Sequence, residues 1–242
     1  MTNSAKALTA QQQAFVNSVL GLQPKIAVFD CDGTLWEGDA GEGFMRWSMR
    51  EGIVPAEVIA RMQARHAQYK AGAVTEHDMC AEMVTMYAGL KVEALEAAAR
   101  QYFASLIRPN IYPEMFEVVA RLMDGGCAVW LVSSTNEWVV REGARHFGVS
   151  PERVIAACAR ITGAIVTGDI LRVPTDEGKA EAIRTIILPG HPQARVDVAV
   201  GNSIHDAAML GAADYAIAIN PTAALEQLAS EAGWQQYRPA KP

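Results

Sequence analysis

The sequence predicts an α/β fold, a three-layer core in which a central parallel β-sheet lies between helices and a small helical domain is inserted after the first strand. Two observations support this class. Short hydrophobic runs of strand length alternate with helical patterns over most of the 242 residues, which is typical of doubly wound sheets. The stretch from about residue 38 to 108 has helical patterns and no strand-like run, as expected of a helical insertion.

Four runs rich in Val, Ile and Ala have the composition of strands buried on both faces. They are Lys25–Asp30, Ala128–Ser133, Val196–Gly201 and Tyr215–Ile219. A further segment, Ile161–Val173, alternates polar and apolar residues around Gly163 and Gly168, which predicts a small β-hairpin. Polar residues follow three of the four buried runs, so polar groups are expected at the carboxyl edge of the sheet.

Helical patterns fill the remaining segments. Pro113–Met123 presents Met115, Val119 and Leu122 on one face, and its proline suits a first turn. In the insertion the patterns are Glu42–Glu51, Ala56–Ala71, Thr75–Gly89 and Val92–Ile107. The predicted domains are a core of residues 1–37 and 109–242 and a helical domain of residues 38–108. The tail Tyr237–Pro242 is expected to fray.

The composition excludes several kinds of partner. The net charge is −6 and no Lys/Arg cluster occurs, which argues against nucleic acid. The four cysteines form no Cys-x-x-Cys pair, which favours reduced thiols and a cytoplasmic location. The first fifteen residues lack the apolar segment of a signal peptide, and no run approaches the roughly 18 apolar residues of a membrane span. Neither secretion nor a membrane partner is expected, and the oligomeric state stays open.

The strongest chemical signal is Phe29-Asp30-Cys31-Asp32-Gly33-Thr34, where two carboxylates follow a buried strand. At a strand end both carboxylates can face one crevice, where one attacks phosphorus and the other transfers a proton. A simple Asx turn would explain the same residues, so the interpretation needs further elements.

Three further elements occur at strand ends or helix starts. Ser133-Ser134-Thr135 offers hydroxyl and N–H donors, Lys179 begins the helical pattern Gly178–Leu188, and Gly201–Asp206 supplies oxygen ligands for a hard cation. Each alone is better explained as a helix cap, a surface charge or a turn residue, because such residues are common. Their occurrence together and in this order favours a phosphate site.

These motifs resemble those of the haloacid dehalogenase superfamily, and within it the phosphoserine-phosphatase-like branch. DCDGT matches the first family motif, LVSST the second, EGKAEAI the third and GNSIHDAAML the fourth. The resemblance runs from about Lys25 onward. It implies a Rossmann-like core with a small helical cap between the first two motifs, and phosphatase activity toward a small phosphorylated metabolite.

The resemblance also implies roles for single residues. Asp30 would be the nucleophile, and Asp32 the general acid and then the general base. The phosphoryl oxygens would be held by Ser133, Ser134 and Lys179. The cofactor would be a magnesium ion, Mg²⁺, with ligands from the first and fourth motifs: Asp30, the backbone carbonyl of Asp32, Asn202 and Asp206.

The sequence departs from the family pattern in its fourth motif, which begins Gly201-Asn202 where Gly-Asp is usual. An asparagine removes one negative charge from the metal shell, so weaker metal binding is expected. A catalytically weak or inactive protein that keeps the pocket for binding or regulation is the alternative. A dehalogenase is less favoured, because its reaction needs neither a second aspartate nor a divalent metal.

The segment after the first motif predicts the substrate's organic part. The acidic groups of Asp39 and Glu42 lie near Trp36, and such a group could accept an ammonium ion. Phosphoserine, phosphocholine or a similar amino-phosphate is therefore expected, although an acidic helix start explains Asp39 and Glu42 equally well. His205 is either a phosphate contact or a solvated turn residue.

Overall fold

The computed structural model describes residues 7–192 and 195–241, and within them seven strands form one sheet. The order across the sheet is fourth, third, second, first, fifth, sixth and seventh strand, and only the third and fourth pair antiparallel. The strands are β1 (Ile26–Phe29), β2 (Ala128–Asn136), β3 (Val154–Thr162), β4 (Ile165–Arg172), β5 (Val196–Gly201), β6 (Ala213–Ile219) and β7 (Gln235–Tyr237).

The four predicted buried strands are confirmed as β1, β2, β5 and β6. The hairpin predicted at Ile161–Val173 is confirmed for β4 and for the turn before it, but its first strand, β3, begins earlier, at Val154. Successive residues of β1 face opposite sides of the sheet. Ala27 and Phe29 join one apolar cluster, whereas Ile26 and Val28 join another. Because each fully buried side chain of this size contributes about 1.5–3 kcal/mol, layers of helices on both faces are needed to bury the central strand. The α/β fold with helices on both faces of the sheet is confirmed.

Ten α-helices lie within the described residues. Short π-helical turns, Phe103–Ile107 and Ile183–Ile187, follow the fifth and eighth helices. The helices are α1 (Ala10–Leu20), α2 (Ala40–Arg50), α3 (Ala56–Lys70), α4 (Glu76–Thr85), α5 (Val92–Tyr102), α6 (Pro113–Asp124), α7 (Glu137–Phe147), α8 (Glu177–Ala182), α9 (Ala207–Gly211) and α10 (Ala223–Ala232).

Helices α2 to α5 occupy the predicted insertion and pack around aromatic side chains. The ring of Phe44 lies 5.4 to 5.9 Å from the rings of Trp47, Tyr87 and Tyr102. Backbone hydrogen bonds tie this group to the hairpin, since the N–H of Gly89 donates to the carbonyl of Val166 at 2.8 Å. The helices are therefore held against the core at the edge of the sheet, while the domain division itself stays a prediction.

The prediction of a frayed tail is wrong for its first residue. Tyr237 ends β7, stacks on Phe15 with ring centroids 3.8 Å apart, and donates its hydroxyl to Glu114 Oε1 at 2.9 Å. Burial of an aromatic ring with a partner for its hydroxyl explains the order. Residue 242 lies outside the described residues. No helix in the described part of the chain is long and apolar enough to cross a membrane.

Candidate active site

The predicted site residues come together at the carboxyl ends of three neighbouring strands. Asp30 follows β1, Ser133 lies in β2, and Asn202 follows β5. They border a cavity of about 430 Å³. Its lining comprises Asp30, Asp32, Gly33, Gly38, Asp39, Tyr69, Glu76, Cys80, Met83, Ser133, Ser134, Thr135, Lys179, Asn202, Ser203 and His205.

Asp30 is almost completely buried and held from both sides. Its Oδ1 accepts a hydrogen bond from Lys179 Nζ at 2.7 Å, and its Oδ2 accepts one from Thr34 Oγ1 at 3.0 Å. Burial raises the pKa of Asp30 to about 6, the charge of Asp206 adds to the rise, and Lys179 opposes it. Asp30 is therefore ionised at neutral pH, as a nucleophile must be.

Lys179 is only 2 % exposed and lies between two carboxylates. Its ammonium donates to Asp206 Oδ1 at 2.5 Å as well as to Asp30. Burial alone would lower the pKa of Lys179, but Asp206 and Asp30 raise it above its ordinary value. The lysine is thus a fixed positive charge beside Asp30, and the alternative of a solvated surface charge is excluded.

The position of Asp206 corrects the expected set of metal ligands. This residue is wholly buried and does not line the cavity. While its Oδ1 accepts from Lys179, its Oδ2 accepts the backbone N–H groups of Asn202 and Ser203, both at 2.9 Å. Because Asp206 does not reach the cavity, whereas Asp30 does, the Asp206 carboxylate positions Lys179 and the loop after β5.

Asp32 lies within a set of three donors. Its Oδ1 accepts the indole N–H of Trp36 at 2.6 Å and the backbone N–H of Ala40 at 3.0 Å, and its Oδ2 accepts the hydroxyl of Thr135 at 2.5 Å. Burial raises the pKa of Asp32 to about 7, the charge of Asp39 adds to the rise, and the bond from Thr135 opposes it. A carboxyl group with a pKa near neutrality can both donate and accept a proton.

Ser133 and Ser134 line the cavity at the end of β2. The helix that follows is capped by Asn136, whose Oδ1 accepts the N–H of Val139 at 3.1 Å. Neither serine caps this helix, so the alternative interpretation of these residues as a helix cap is wrong. Ser133 Oγ accepts the N–H of Thr135 at 3.2 Å.

Asn202 lines the cavity beside Gly33, which has a φ of +69°. A Cβ atom at Gly33 would collide with the side-chain amide of Asn202, so the asparagine packs directly on the first-motif backbone. Within residues 7–192 and 195–241 no cluster of three or more histidine, cysteine or acidic side chains suits a metal ion. Asp30, the Asp32 carbonyl and Asn202 instead offer one carboxylate and two neutral oxygens, which suits Mg²⁺ because this ion usually keeps several waters.

Two of the four expected specificity residues do not line the cavity. Trp36 is wholly buried, with its ring 5.8 Å from that of Phe103, and it acts on Asp32 rather than on a ligand. The indole packs directly against the backbone of Gly143, because a Cβ atom at that position would lie only 2.9 Å from the ring. Glu42 does not line the cavity; it contacts basic side chains, at 2.7 Å from Arg46, 3.1 Å from Lys70 and 3.2 Å from His66.

The other two expected residues do line the cavity. Asp39 caps α2, accepting the N–H of Glu42 at 2.7 Å, and borders the cavity at the same time. His205 borders it as well, with Nδ1 2.7 Å from Asp176 Oδ1. Asp176 has a φ of +50°, a conformation uncommon for a residue with a side chain.

Sequence reasoning missed two groups of residues. The first group donates hydrogen bonds to the two aspartates: the hydroxyl of Thr34 donates to Asp30, and the hydroxyl of Thr135 donates to Asp32. Both lie inside the recognised motifs, so their hydroxyls were a usable signal. The second group borders the cavity from α3 and α4 and had no local signal: Tyr69, Glu76 and Cys80.

Comparison with known proteins gives a consistent result. A family model described as haloacid dehalogenase-like hydrolase matches residues 27–211. The chain is 27 % identical over 214 residues to Phosphoserine phosphatase SerB1 of Mycobacterium tuberculosis, with 86 % of this chain and 69 % of the relative covered. It is 27 % identical over 221 residues to Histidinol-phosphatase of Neisseria meningitidis, with 86 % and 96 % covered.

Solved structures share the fold. A Bordetella pertussis protein of unknown function aligns with a TM-score of 0.76 at 25 % identity, over 87 % of this chain and 96 % of that one. A substrate-bound phosphoserine phosphatase complex aligns with a TM-score of 0.58 at 20 % identity, over 84 % and 90 %.

Proposed function

The chain belongs to the haloacid dehalogenase-like hydrolases, in their phosphoserine phosphatase-like branch, and is a phosphoric monoester hydrolase; from this premise we propose how it works. It is a magnesium-dependent phosphatase of small amino-phosphates that passes through an aspartyl-phosphate on Asp30. The observation that carries the proposal is the contact of Lys179 with Asp30 at 2.7 Å, because it fixes a cation beside an ionised carboxylate at the cavity.

In the first step a carboxylate oxygen of Asp30 attacks phosphorus, and the bond from phosphorus to the leaving oxygen breaks. Asp32 donates a proton to that oxygen, so that an alcohol leaves. In the second step Asp32, now ionised, takes a proton from water, which attacks phosphorus and releases inorganic phosphate from Asp30. A pKa of about 7 for Asp32 supports both directions of proton transfer.

The phosphoryl oxygens are held by short-range donors, because the chain as a whole is acidic. Ser133 and Ser134 supply hydroxyl groups from the end of β2, and Lys179 supplies its charge. Asp206 keeps Lys179 in place through its contact at 2.5 Å. Positioning and electrostatic stabilisation are the main sources of rate in phosphoryl transfer.

The residues that would hold Mg²⁺ are Asp30, Asn202 and the backbone carbonyl of Asp32. When bound, the ion supplies positive charge that neutralises the transferring phosphoryl group. Asn202 contributes a neutral oxygen to this set, so the affinity for the ion should be lower than with an aspartate there.

The substrate is proposed to be an amino-phosphate. The names of two relatives refer to phosphoserine and histidinol phosphate, and both compounds carry an amino group. Asp39, which lines the cavity, supplies a carboxylate for it. Phosphocholine belongs to the same group of candidates through its cationic nitrogen.

A protein that only binds a phosphorylated ligand is the second candidate, because Asn202 reduces the negative charge available to a metal ion. The two candidates differ in turnover. A binding protein would retain a phosphomonoester in its cavity without releasing phosphate, with or without Mg²⁺.

The proposal is tested by phosphate release from a panel of small phosphomonoesters, with Mg²⁺ and with a chelator. Asp30→Asn is expected to lower kcat by about 10³-fold or more, since it removes the nucleophile. Asp169→Asn, an exposed site in β4, is the matched control and should keep the wild-type rate. Equal rates for wild type and Asp30→Asn would contradict the mechanism, and rates unaffected by the chelator would contradict the role of the metal.

A further inference from the structure

The part of the cavity contributed by α3 and α4 has an acidic character that the proposed chemistry does not explain. We define the α3/α4 wall as the four side chains of these helices that line the cavity: Tyr69, Glu76, Cys80 and Met83. Glu76 is the charged member of this wall. Neither the hydrolysis of a phosphate ester nor the binding of its dianion calls for a negative charge at this place.

Glu76 is held firmly by neutral neighbours. The hydroxyl of Tyr69 donates to its Oε2, and the thiol of Cys80 donates to its Oε1 at 3.4 Å. The nearest titratable nitrogen is His205 Nε2, at 4.0 Å from Oε2, and that ring is already bonded to Asp176. Only 18 % of the Glu76 side chain is exposed, so its charge has little solvent to compensate it.

Cationic side chains are scarce around this cavity. Among the described residues, Lys179 is the only lysine or arginine in the lining, and it is occupied by Asp30 and Asp206. Glu76 and Asp39 therefore present two carboxylates to a ligand, and among the described residues no lysine or arginine forms an ion pair with either of them. A ligand carboxylate placed there would meet repulsion, whereas an ammonium group would gain charge-assisted hydrogen bonds.

The aromatic lining distinguishes between kinds of cationic nitrogen. Quaternary ammonium groups, which donate no hydrogen bonds, are usually enclosed by several aromatic faces. Trp36 and Trp47 are buried in the core, and Tyr69 is the aromatic side chain that lines the cavity within the described residues. This arrangement favours a nitrogen that carries N–H donors.

We propose that Glu76 determines specificity: it binds the ammonium group of an aminoalkyl phosphomonoester and selects against substrates that carry a carboxylate beside that group. The inference rests on the proposed phosphatase function and narrows its substrate class. Phosphoserine and quaternary amines such as phosphocholine then become poor substrates, and a primary amine without a carboxylate becomes a good one.

The test compares kcat/KM for four small phosphomonoesters. O-phosphoethanolamine differs from O-phosphoserine by the carboxylate, from phosphocholine by three methyl groups, and from ethyl phosphate by the amino group. In the wild-type protein O-phosphoethanolamine is expected to exceed each of the others by about ten-fold or more. Equal or higher kcat/KM for phosphoserine or ethyl phosphate would overturn the inference.

Glu76→Gln removes the charge while keeping an acceptor for Tyr69. It is expected to lower kcat/KM for phosphoethanolamine about ten-fold and to leave ethyl phosphate within about two-fold. Glu82→Gln is the matched control, because Glu82 lies on the same helix, binds Arg65 at 2.6 Å, and does not line the cavity. An equal loss for both substrates in Glu76→Gln would mean that the residue is merely structural, and would also overturn the inference.

p-Nitrophenyl phosphate separates this inference from the function on which it rests. If its hydrolysis depends on Asp30 but the amino group of phosphoethanolamine gives no advantage, the role of Glu76 fails and the phosphatase mechanism stands. If Asp30→Asn hydrolyses it as fast as wild type, the proposed mechanism itself fails, and the inference fails with it.

Discussion

Thr135 controls the ionisation of Asp32, and its replacement tests the role of Asp32 in proton transfer. The Thr135 hydroxyl donates to Asp32 Oδ2 at 2.5 Å from a buried position. Thr135→Val removes this donor at nearly constant volume. A hydrogen bond to a charged group contributes about 1.5–3 kcal/mol, and one pKa unit corresponds to about 1.4 kcal/mol. The pKa of Asp32 should therefore shift by about one to two units.

The direction of the shift follows from which form the bond stabilises. Thr135 donates to the ionised carboxylate, so its loss raises the pKa of Asp32 further above its present value of about 7. Asp32 must be ionised to accept a proton from water in the second step. Dephosphorylation should therefore slow at neutral pH, and the acidic limb of the kcat profile should move to higher pH by about one to two units.

The assay is the pH dependence of kcat with p-nitrophenyl phosphate, whose leaving group needs little protonation. Thr135→Ser keeps the hydroxyl and serves as the matched control, with an acidic limb close to that of wild type. The reasoning would be refuted if the acidic limb of the kcat profile of Thr135→Val lay at the same pH as that of wild type, since the ionisation of Asp32 would then not limit the rate.

Three further predictions concern the metal site, the buried ion pair and stability in acid. Asn202→Asp restores a carboxylate and should tighten Mg²⁺ binding about ten-fold; calorimetry that shows an unchanged affinity would place Asn202 outside the metal shell. Asp206→Ala removes one partner of Lys179 and should lower the free energy of unfolding by about 3–5 kcal/mol, and a loss below about 1 kcal/mol in chemical denaturation would contradict the buried pair. Burial would raise the pKa of Glu42, but three basic neighbours lower it to about 2. The ionised Glu42 therefore contributes to the free energy of unfolding above its ordinary pKa of about 4.3, and this contribution is lost as the pH falls toward 2. Glu42→Gln should therefore cost about 1 kcal/mol or less at pH 6, and a difference from wild type that did not shrink between pH 4 and 2 would argue against this assignment.

The sequence predicted the sheet and the centre of the site because both depend on local patterns. Ile26–Phe29, within the predicted run Lys25–Asp30, is apolar at every position, which is typical of a strand covered on both faces. Carboxylates placed directly after such runs must lie at the carboxyl edge of the sheet. Asp30, Lys179 and Ser133 therefore appear where they were expected.

The roles that the sequence missed depend on which way a side chain turns. Asp206 lies in the fourth motif, but only the fold reveals that its carboxylate accepts from Lys179 and from two backbone N–H groups. Trp36 follows the first motif closely, yet packing against Gly143 directs its indole inward. Glu76 reaches the cavity because α4 packs beside β2 and β3, a contact between distant parts of the chain.

Some elements also escaped prediction for physical reasons. Helix α7 begins directly after β2, with Asn136 ending the strand and capping the helix, so no loop separates the two patterns. Strand β7 has only three residues, Gln235–Tyr237, with no apolar alternation. It is held by pairing with β6 and by the stacking of Tyr237 on Phe15, and neither interaction has a local signature.

The central claim is that Asp30 becomes phosphorylated during turnover. The most direct measurement is an acid quench of the wild-type protein during hydrolysis of p-nitrophenyl phosphate, followed by mass spectrometry of its peptides. The mechanism predicts a hydroxylamine-labile phosphoryl group on Asp30 that is absent from Asp30→Asn. A phosphoryl group on another residue, or turnover in Asp30→Asn at the wild-type rate, would contradict it.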